Sequence, residues 1–220
     1  LTIGQSPRVD VVPEVVSMTG KDLEVLEAGA LDNMSPVEIA EKLRPGKGET
    51  IYVSRLRDGT QVVLSKEKLV PLLQERIRGL EERGASLIVL LCSGEFPRFR
   101  SRVPIIYLDA VLKSFARPLS EAIKRVGVMV PVEEQVGYAE SKWGELFEEV
   151  VATHVSPYTG SEAEVARAAK SLRDGRVGAI IMDCIGYNSS HRRVVESIFK
   201  GFVTSTRTSL ARYLAEILPG

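Results

Sequence analysis

The sequence predicts an α/β fold of two similar parallel-sheet halves. Three observations carry this. Short β-rich apolar runs alternate with amphipathic stretches along all 220 residues. The runs at 1–4 and 126–131 open two series in the same order, and each series holds a strand that stops at a cysteine, Cys92 or Cys184. Alternation of this kind favours parallel strands joined by crossover helices.

Taken in order, "LTIG" reads as the first strand, cut off by "QSPR". A helix is expected after Asp10, then a second extended stretch at 23–28. "SPVEIAEKL" (35–43) has Ser35 as N-cap, Pro36 at the first helical position and Glu38 three residues after the cap, a good helix start. "IYVSRLRDGTQVVL" (51–64) breaks the rhythm, because Asp58-Gly59 between two alternating runs signals an antiparallel hairpin. Leu69, Leu72, Leu73, Ile77 and Leu80 make one face of a helix over 65–84 that ends on Gly84, a left-handed cap. "ASLIVLLC" and "VPIIYL" read as strands, and the stretch after them as a helix with a kink expected at Pro118.

The second series runs from "VGVMVP" through a helix at 132–147, a strand at 150–156, and a helix at 161–175 opened by Ser161 with Glu164 three on. "GAIIMDC" is again a strand, "FVTS" the last, and "TSLARYLAEIL" (208–218) the closing helix. The expected division is 1–110 with 205–220 as one half and 111–204 as the other.

The totals narrow the function. Two cysteines are too few for a disulfide framework, so free thiols and a cytoplasmic setting are expected. With 29 basic against 29 acidic residues there is no bulk field for nucleic acid or a membrane surface. The longest apolar runs are far short of the ~20 residues of a membrane span. No close pair of metal ligands accompanies His154 and His191, so no metal is expected, and the absence of glycine-rich phosphate loops argues against nucleotide cofactors.

Both thiols fall at carboxyl ends of strands, where open parallel sheets place their ligands. A glycine follows each two residues on, Gly94 and Gly186, and would let the backbone approach a ligand. Loop N–H groups and a following helix would create an anion site and favour thiolate, lowering the cysteines toward neutrality. The bland alternative is that free cysteine often only fills space. The spacing Cys92 to Arg98, C-x5-R, matches a phosphate cradle by chance, since Glu95 and Pro97 both oppose it. Arg8 is either a carboxylate clamp or a solvated arginine, Asp10 a helix cap, and Asp183 a residue turned away from the cleft. Tyr187 either walls the pocket or packs on a helix. His191-Arg192-Arg193, in a first helical turn, suggests an anionic partner.

"LTIGQSPR", "LLCSG", "VGVMVPVEEQ", "DCIGY" with "HRR", and "SLARYLAE" together resemble the AroM family over essentially the whole chain. That family is similar in its two-cysteine layout to the aspartate/glutamate racemase superfamily. The resemblance implies two pseudo-symmetric α/β halves with flavodoxin-like layers and a cleft between them, a cofactor-independent racemase-like reaction on a small carboxylic acid, and Cys92 and Cys184 as the acid/base pair. It implies a substrate carboxylate on the N–H groups of Ser93 and Gly94 or Ile185 and Gly186, with Gln5, Ser6 and Val130, Pro131 and Val132 bordering the cleft. The chain departs from the amino-acid racemase pattern at Ser93-Gly94 and Ile185-Gly186, where those enzymes carry Asn or Thr and Thr-His. A binding protein without chemistry, or a one-cysteine decarboxylase or isomerase, is the alternative, and a homodimer is left open.

Overall fold

The computed structural model describes residues 1–219. Its elements are α1 (Val12–Thr19), α2 (Pro36–Lys42), β1 (Ile51–Arg55), β2 (Gln61–Ser65), α3 (Lys66–Glu82), β3 (Ile88–Leu90), β4 (Ile105–Tyr107) and α4 (Leu108–Ser120). Then come β5 (Arg125–Val130), a 3-10 turn (Glu133–Gln135), α5 (Val136–Gly144), β6 (Glu149–His154), α6 (Glu162–Asp174) and β7 (Ala179–Met182). The chain closes with α7 (Ser189–Ile198), β8 (Phe202–Ser205) and α8 (Thr206–Ile217).

The local chemistry explains most boundaries. Ser35 and Ser161 each cap a helix through a reciprocal box with Glu38 and Glu164. Gly84 takes φ +86 after α3, a conformation in which a side chain would be strained. At α6 the left-handed position falls on Arg176 (φ 56), one residue beyond Gly175. Asp58-Gly59 turns the hairpin as expected, with Ile51 paired to Ser65 and Arg55 to Gln61. Pro71 and Pro118 both sit inside continuous helices, near the start of α3 and the end of α4.

One expectation is corrected. "LTIG" makes no extended strand: only Thr2 bridges, in parallel, to Gly29 on one side and Leu91 on the other. The Gly4 N–H turns back onto Thr2 Oγ1 at 3.2 Å, which ends the ladder. The stretch at 23–28 likewise forms no strand: Ala28 O accepts the Thr2 N–H at 2.9 Å, and Gly29 makes the bridge to Thr2.

Topology positions the site. The second sheet has the order β6-β5-β7-β8, all parallel. In the first sheet Thr2 lies between Gly29 and the β3 extension at Leu91, and β3 pairs in parallel with β4. Both sheets therefore run second, first, third, fourth, the flavodoxin-like order whose switch point lies between the first and third strands. One core cluster gathers residues between Leu1 and Tyr107, and two others gather residues between Leu112 and Phe199. A fourth, built on Val11, Val15, Leu108, Ile185, Leu210 and Leu214, seats α8 against α1 and α4. No helix among the described residues is long and apolar enough to cross a membrane.

Candidate active site

The third strand of each sheet delivers a cysteine to its switch point, and both sulfurs line one cavity. Ile3 and Val130-Pro131, at the ends of the two first strands, complete the floor. Tyr52, Val53 and Ser54 of the β1–β2 hairpin form the roof; Gln135, Tyr138, Lys142 and Tyr158 form the walls. The cavity volume is ≈ 30 Å³, room for about two waters at roughly 10–15 Å³ each.

The glycines after the cysteines serve tyrosines rather than an open approach to ligand. A Cβ on Gly94 would stand 2.3 Å from Tyr52 Cζ, and one on Gly186 would stand 2.7 Å from Pro157 and 2.8 Å from the Tyr158 ring. Each sulfur thus has a glycine beneath a phenol beside it. The Gly186 N–H reaches Cys184 Sγ at 3.4 Å, and the Gly94 N–H supports Cys92 in the same way. The N–H groups of Ser93 and Ile185 make no hydrogen bond within the described residues.

The expected lowering of the thiol pKa is reversed. Burial pushes Cys92 up to about 12, although the Gly94 N–H and the Lys142 charge favour its thiolate. Burial likewise raises Cys184 to about 11 against the Gly186 N–H, Arg8 and the Tyr158 hydroxyl. The helix field imagined for both sites is missing at one and spent at the other. No helix follows Cys92, because "EFPRFRSRVP" with its two prolines runs irregularly into β4. After Cys184, α7 begins only at Ser189, whose N–H is taken by Glu14 Oε1 at 2.9 Å. Alkylation of the native thiols by a small neutral reagent is therefore expected to climb about tenfold per pH unit from neutrality to about pH 10. A plateau near neutrality would contradict this.

Lys142 and Asp183 tie the two cysteine segments together. The Lys142 ammonium donates to Ser93 O at 2.7 Å and to Asp183 Oδ2 at 2.8 Å, and Trp143 Nε1 donates to the same oxygen at 2.8 Å. Lys142 thus bridges the residue after Cys92 and the residue before Cys184. Asp183, expected to face away, lines the cavity, and its Oδ1 has no partner. Ser54 Oγ and Gln135 Oε1 are also buried and unpartnered, and they too belong to lining residues. Such an atom costs roughly 1–3 kcal/mol if nothing satisfies it.

Arg8 lines the cavity but is already committed. Its Nε and one terminal nitrogen hold both Asp10 oxygens at 2.8 and 2.9 Å, the other terminal nitrogen meets Thr2 Oγ1 at 3.0 Å, and the Tyr158 hydroxyl lies at 3.4 Å. Burial opposes the Arg8 charge, yet the hydrogen bonds and charges of Asp10 and Tyr158 together outweigh it and raise the pKa. Asp10 is this partner and not a helix cap: the cap position of α1 is Val11, with no side-chain bond.

Of the residues singled out in the sequence, the structure brings together Arg8, Cys92, Ser93 and Gly94 with Val130, Pro131, Cys184 and Ile185. Gln5, Ser6, Val132, Gly186, Tyr187 and His191 are not among the lining residues. Gln5 and Ser6 instead anchor loops. Gln5 spans Leu31 O, Met34 O and the Arg57 N–H, while Ser6 donates twice to Asp32. Tyr187 is buried with its hydroxyl on Val155 O, 2.7 Å away. His191 closes the capping box of α7 with Asn188, and burial lowers its pKa. Arg192 needs no outside anion, since it pairs with Glu196 and reaches Thr208 and Val203 O. Arg98 of the C-x5-R match stacks on Tyr107 at 4.6 Å.

Sequence reasoning missed Lys142, Gln135, Tyr158 and Arg207. Lys142 could have been found, because it follows Ala139 by three on the stripe that also buries Trp143. Arg207, only 1% exposed, holds the Cys184 turn through Ile185 O (3.1 and 2.9 Å) and Gly186 O (3.2 Å). It also reaches Asp10 O at 2.9 Å and the Glu14 carboxylate.

The same architecture occurs in solved racemases. The aspartate racemase of Picrophilus torridus superposes with a TM-score of 0.56 at 16% identity, covering 98% of this chain and 91% of that one. The allantoin racemase of Klebsiella pneumoniae gives 0.58 at 14% identity, with 98% and 85% covered. An arylmalonate decarboxylase gives 0.58 at 14%, with 98% and 92% covered. At such identities the likeness establishes the fold. No curated protein matches the chain by sequence. The family model described as "AroM protein" matches residues 1–218, and the chain belongs to the AroM family.

Proposed function

We propose that this protein is a cofactor-independent, racemase-like enzyme that exchanges the α-proton of a small carboxylic acid between Cys92 and Cys184. The observation that carries the reading is that both cysteines line one cavity at the switch points of two sheets of the same strand order. One sulfur, as thiolate, takes the α-proton; the opposite thiol gives its own proton to the other face of the carbon, and the two sulfurs end with exchanged protonation. The N–H groups of Ser93 and Ile185 receive the carboxylate and the charge that builds on it as the proton leaves. High thiol pKa values suit abstraction of a weakly acidic proton but leave little base at neutral pH, so the Lys142 charge, Arg8 and the Tyr158 hydroxyl are needed to favour the ionised form. Racemase and decarboxylase neighbours of the same fold support the class.

The test is proton NMR in heavy water with a panel of small carboxylic acids. Loss of the α-proton signal with wild type, abolished in both Cys92→Ser and Cys184→Ser, is the expected result. Persistent exchange in either variant sinks the two-thiol mechanism. Dependence on Cys184 alone would instead support a one-thiol isomerase or decarboxylase, a reading favoured by the richer support around that sulfur.

A further inference from the structure

One peptide group beyond each cysteine is held at both of its ends. At Cys92, the Ser93 carbonyl accepts the Lys142 ammonium at 2.7 Å, and the N–H of the same peptide group, that of Gly94, bears on the Cys92 sulfur. At Cys184, the Ile185 carbonyl accepts two Arg207 nitrogens at 3.1 and 2.9 Å, and the N–H of that peptide group, that of Gly186, reaches Cys184 Sγ at 3.4 Å. Lys142 comes from α5 and Arg207 from α8, and both side chains are 1% exposed. The same series therefore occurs twice, built from different residues: a buried cation, a carbonyl, an N–H and a sulfur.

A peptide group that precedes the Cα of glycine needs such a hold. Turning it over changes ψ of the first residue and φ of the glycine, and glycine tolerates either sign of φ. The turned group would set a carbonyl against the sulfur and repel a thiolate. A carbonyl bound to a buried cation resists this, because turning leaves both groups unpaired in a dry place. The bond to the cation also draws electron density toward the oxygen and strengthens the N–H as a donor, as hydrogen bonds in series do. Other groups face the sulfurs directly: Tyr52, Asp183 and Cys184 act on Cys92, and Arg8, Tyr158, Tyr187 and Asp183 on Cys184. None of them holds the Ser93 carbonyl; among the described residues only Lys142 donates to it.

We infer that Lys142 is a positioning residue for Cys92: by holding Ser93 O it fixes the following peptide group with the Gly94 N–H on the sulfur, and so favours the thiolate through the backbone as well as by its own charge. Arg207 holds the matching group after Cys184. This device sets how readily the thiols ionise and does not depend on the proposed exchange of a carbon-bound proton.

Timed alkylation with iodoacetamide between about pH 7 and 9, followed by peptide mapping, tests it in the variant that combines Lys142→Met with Asp183→Asn. Lys142 and Asp183 act on the Cys92 charge in opposite directions, so removing both offsets their direct fields and takes away the hold on Ser93 O. Cys92 is expected to react about tenfold slower than in wild type at each pH, the effect of losing one hydrogen bond to an ionised group, while Cys184 is not slowed. The sign separates this from a structural role. Looser packing would expose the sulfur and quicken it, whereas loss of the N–H slows Cys92 alone. Arg207 is the poorer place for the test, because it also spans Gly186 O, Asp10 O and Glu14, and its loss loosens the whole turn. A Cys92 rate within about twofold of wild type, a faster one, or equal slowing of both thiols overturns the inference. If the variant does not fold, hydrogen exchange of the Gly94 amide in wild type decides: protection of about tenfold or more over an unstructured peptide supports the hold, and less overturns it. The expected pattern without α-proton exchange on any acid would sink only the two-thiol reaction.

Discussion

Lys142→Met is expected to lower the unfolding free energy by about 3–5 kcal/mol, the range for removing one partner of a buried ion pair. The Lys142 and Asp183 side chains are 1% and 5% exposed, so methionine leaves a carboxylate facing the cavity with only Trp143 Nε1 as donor. It also frees Ser93 O, the carbonyl beside Cys92. The cost is dominated by the stranded charge. Combining Lys142→Met with Asp183→Asn should therefore recover most of the loss, because a neutral amide is far less costly to bury. Urea unfolding of wild type, both single variants and the double variant measures this as a cycle. A loss below about 1 kcal/mol for Lys142→Met would show the pair to be hydrated in solution.

Arg207→Leu is expected to cost a similar roughly 3–5 kcal/mol, through unpaired acceptors as well as charge. Three carbonyls, those of Asp10, Ile185 and Gly186, and the Glu14 carboxylate lose a donor at once. Arg207→Lys should rescue little, since one compact ammonium cannot span acceptors arranged around a planar fork. Because Ile185 and Gly186 form the turn that follows Cys184, the lysine variant should also unpack that sulfur and speed its alkylation while Cys92 keeps the wild-type rate. Peptide mapping after timed alkylation separates the two thiols, and equal rates for Cys184 in wild type and variant would contradict the clasp.

The fold was legible where its signals are local. The boxes at Ser35 and Ser161 and the turn at Asp58-Gly59 depend on residues within a few positions of one another, and all three occur as read. Strand ends marked by Cys92 and Cys184 were visible because apolar runs stop there. Contacts between distant segments were not visible. Lys142 on Asp183, Tyr52 over Gly94 and Arg207 under Ile185 join residues from separate elements, and nothing in the residue types distinguishes them from surface lysine, core tyrosine or exposed arginine. The thiol pKa reading went astray for the same reason: strand ends suggested a helix field, while burial among residues from distant segments decides the sign.

The hairpin is fastened at several points to chain distant from it. Gln135 Nε2 holds Ile51 O, the Tyr52 hydroxyl holds Glu95 O at 2.6 Å, and Ser156 Oγ holds Gln61 at 2.5 Å. On the proposed reaction, a ligand larger than the cavity would have to loosen these ties to enter and again to leave, and that loosening would bound turnover whatever the chemistry at sulfur. Loosening a fastener such as Ser156 would then quicken passage while admitting more bulk water beside the two thiols.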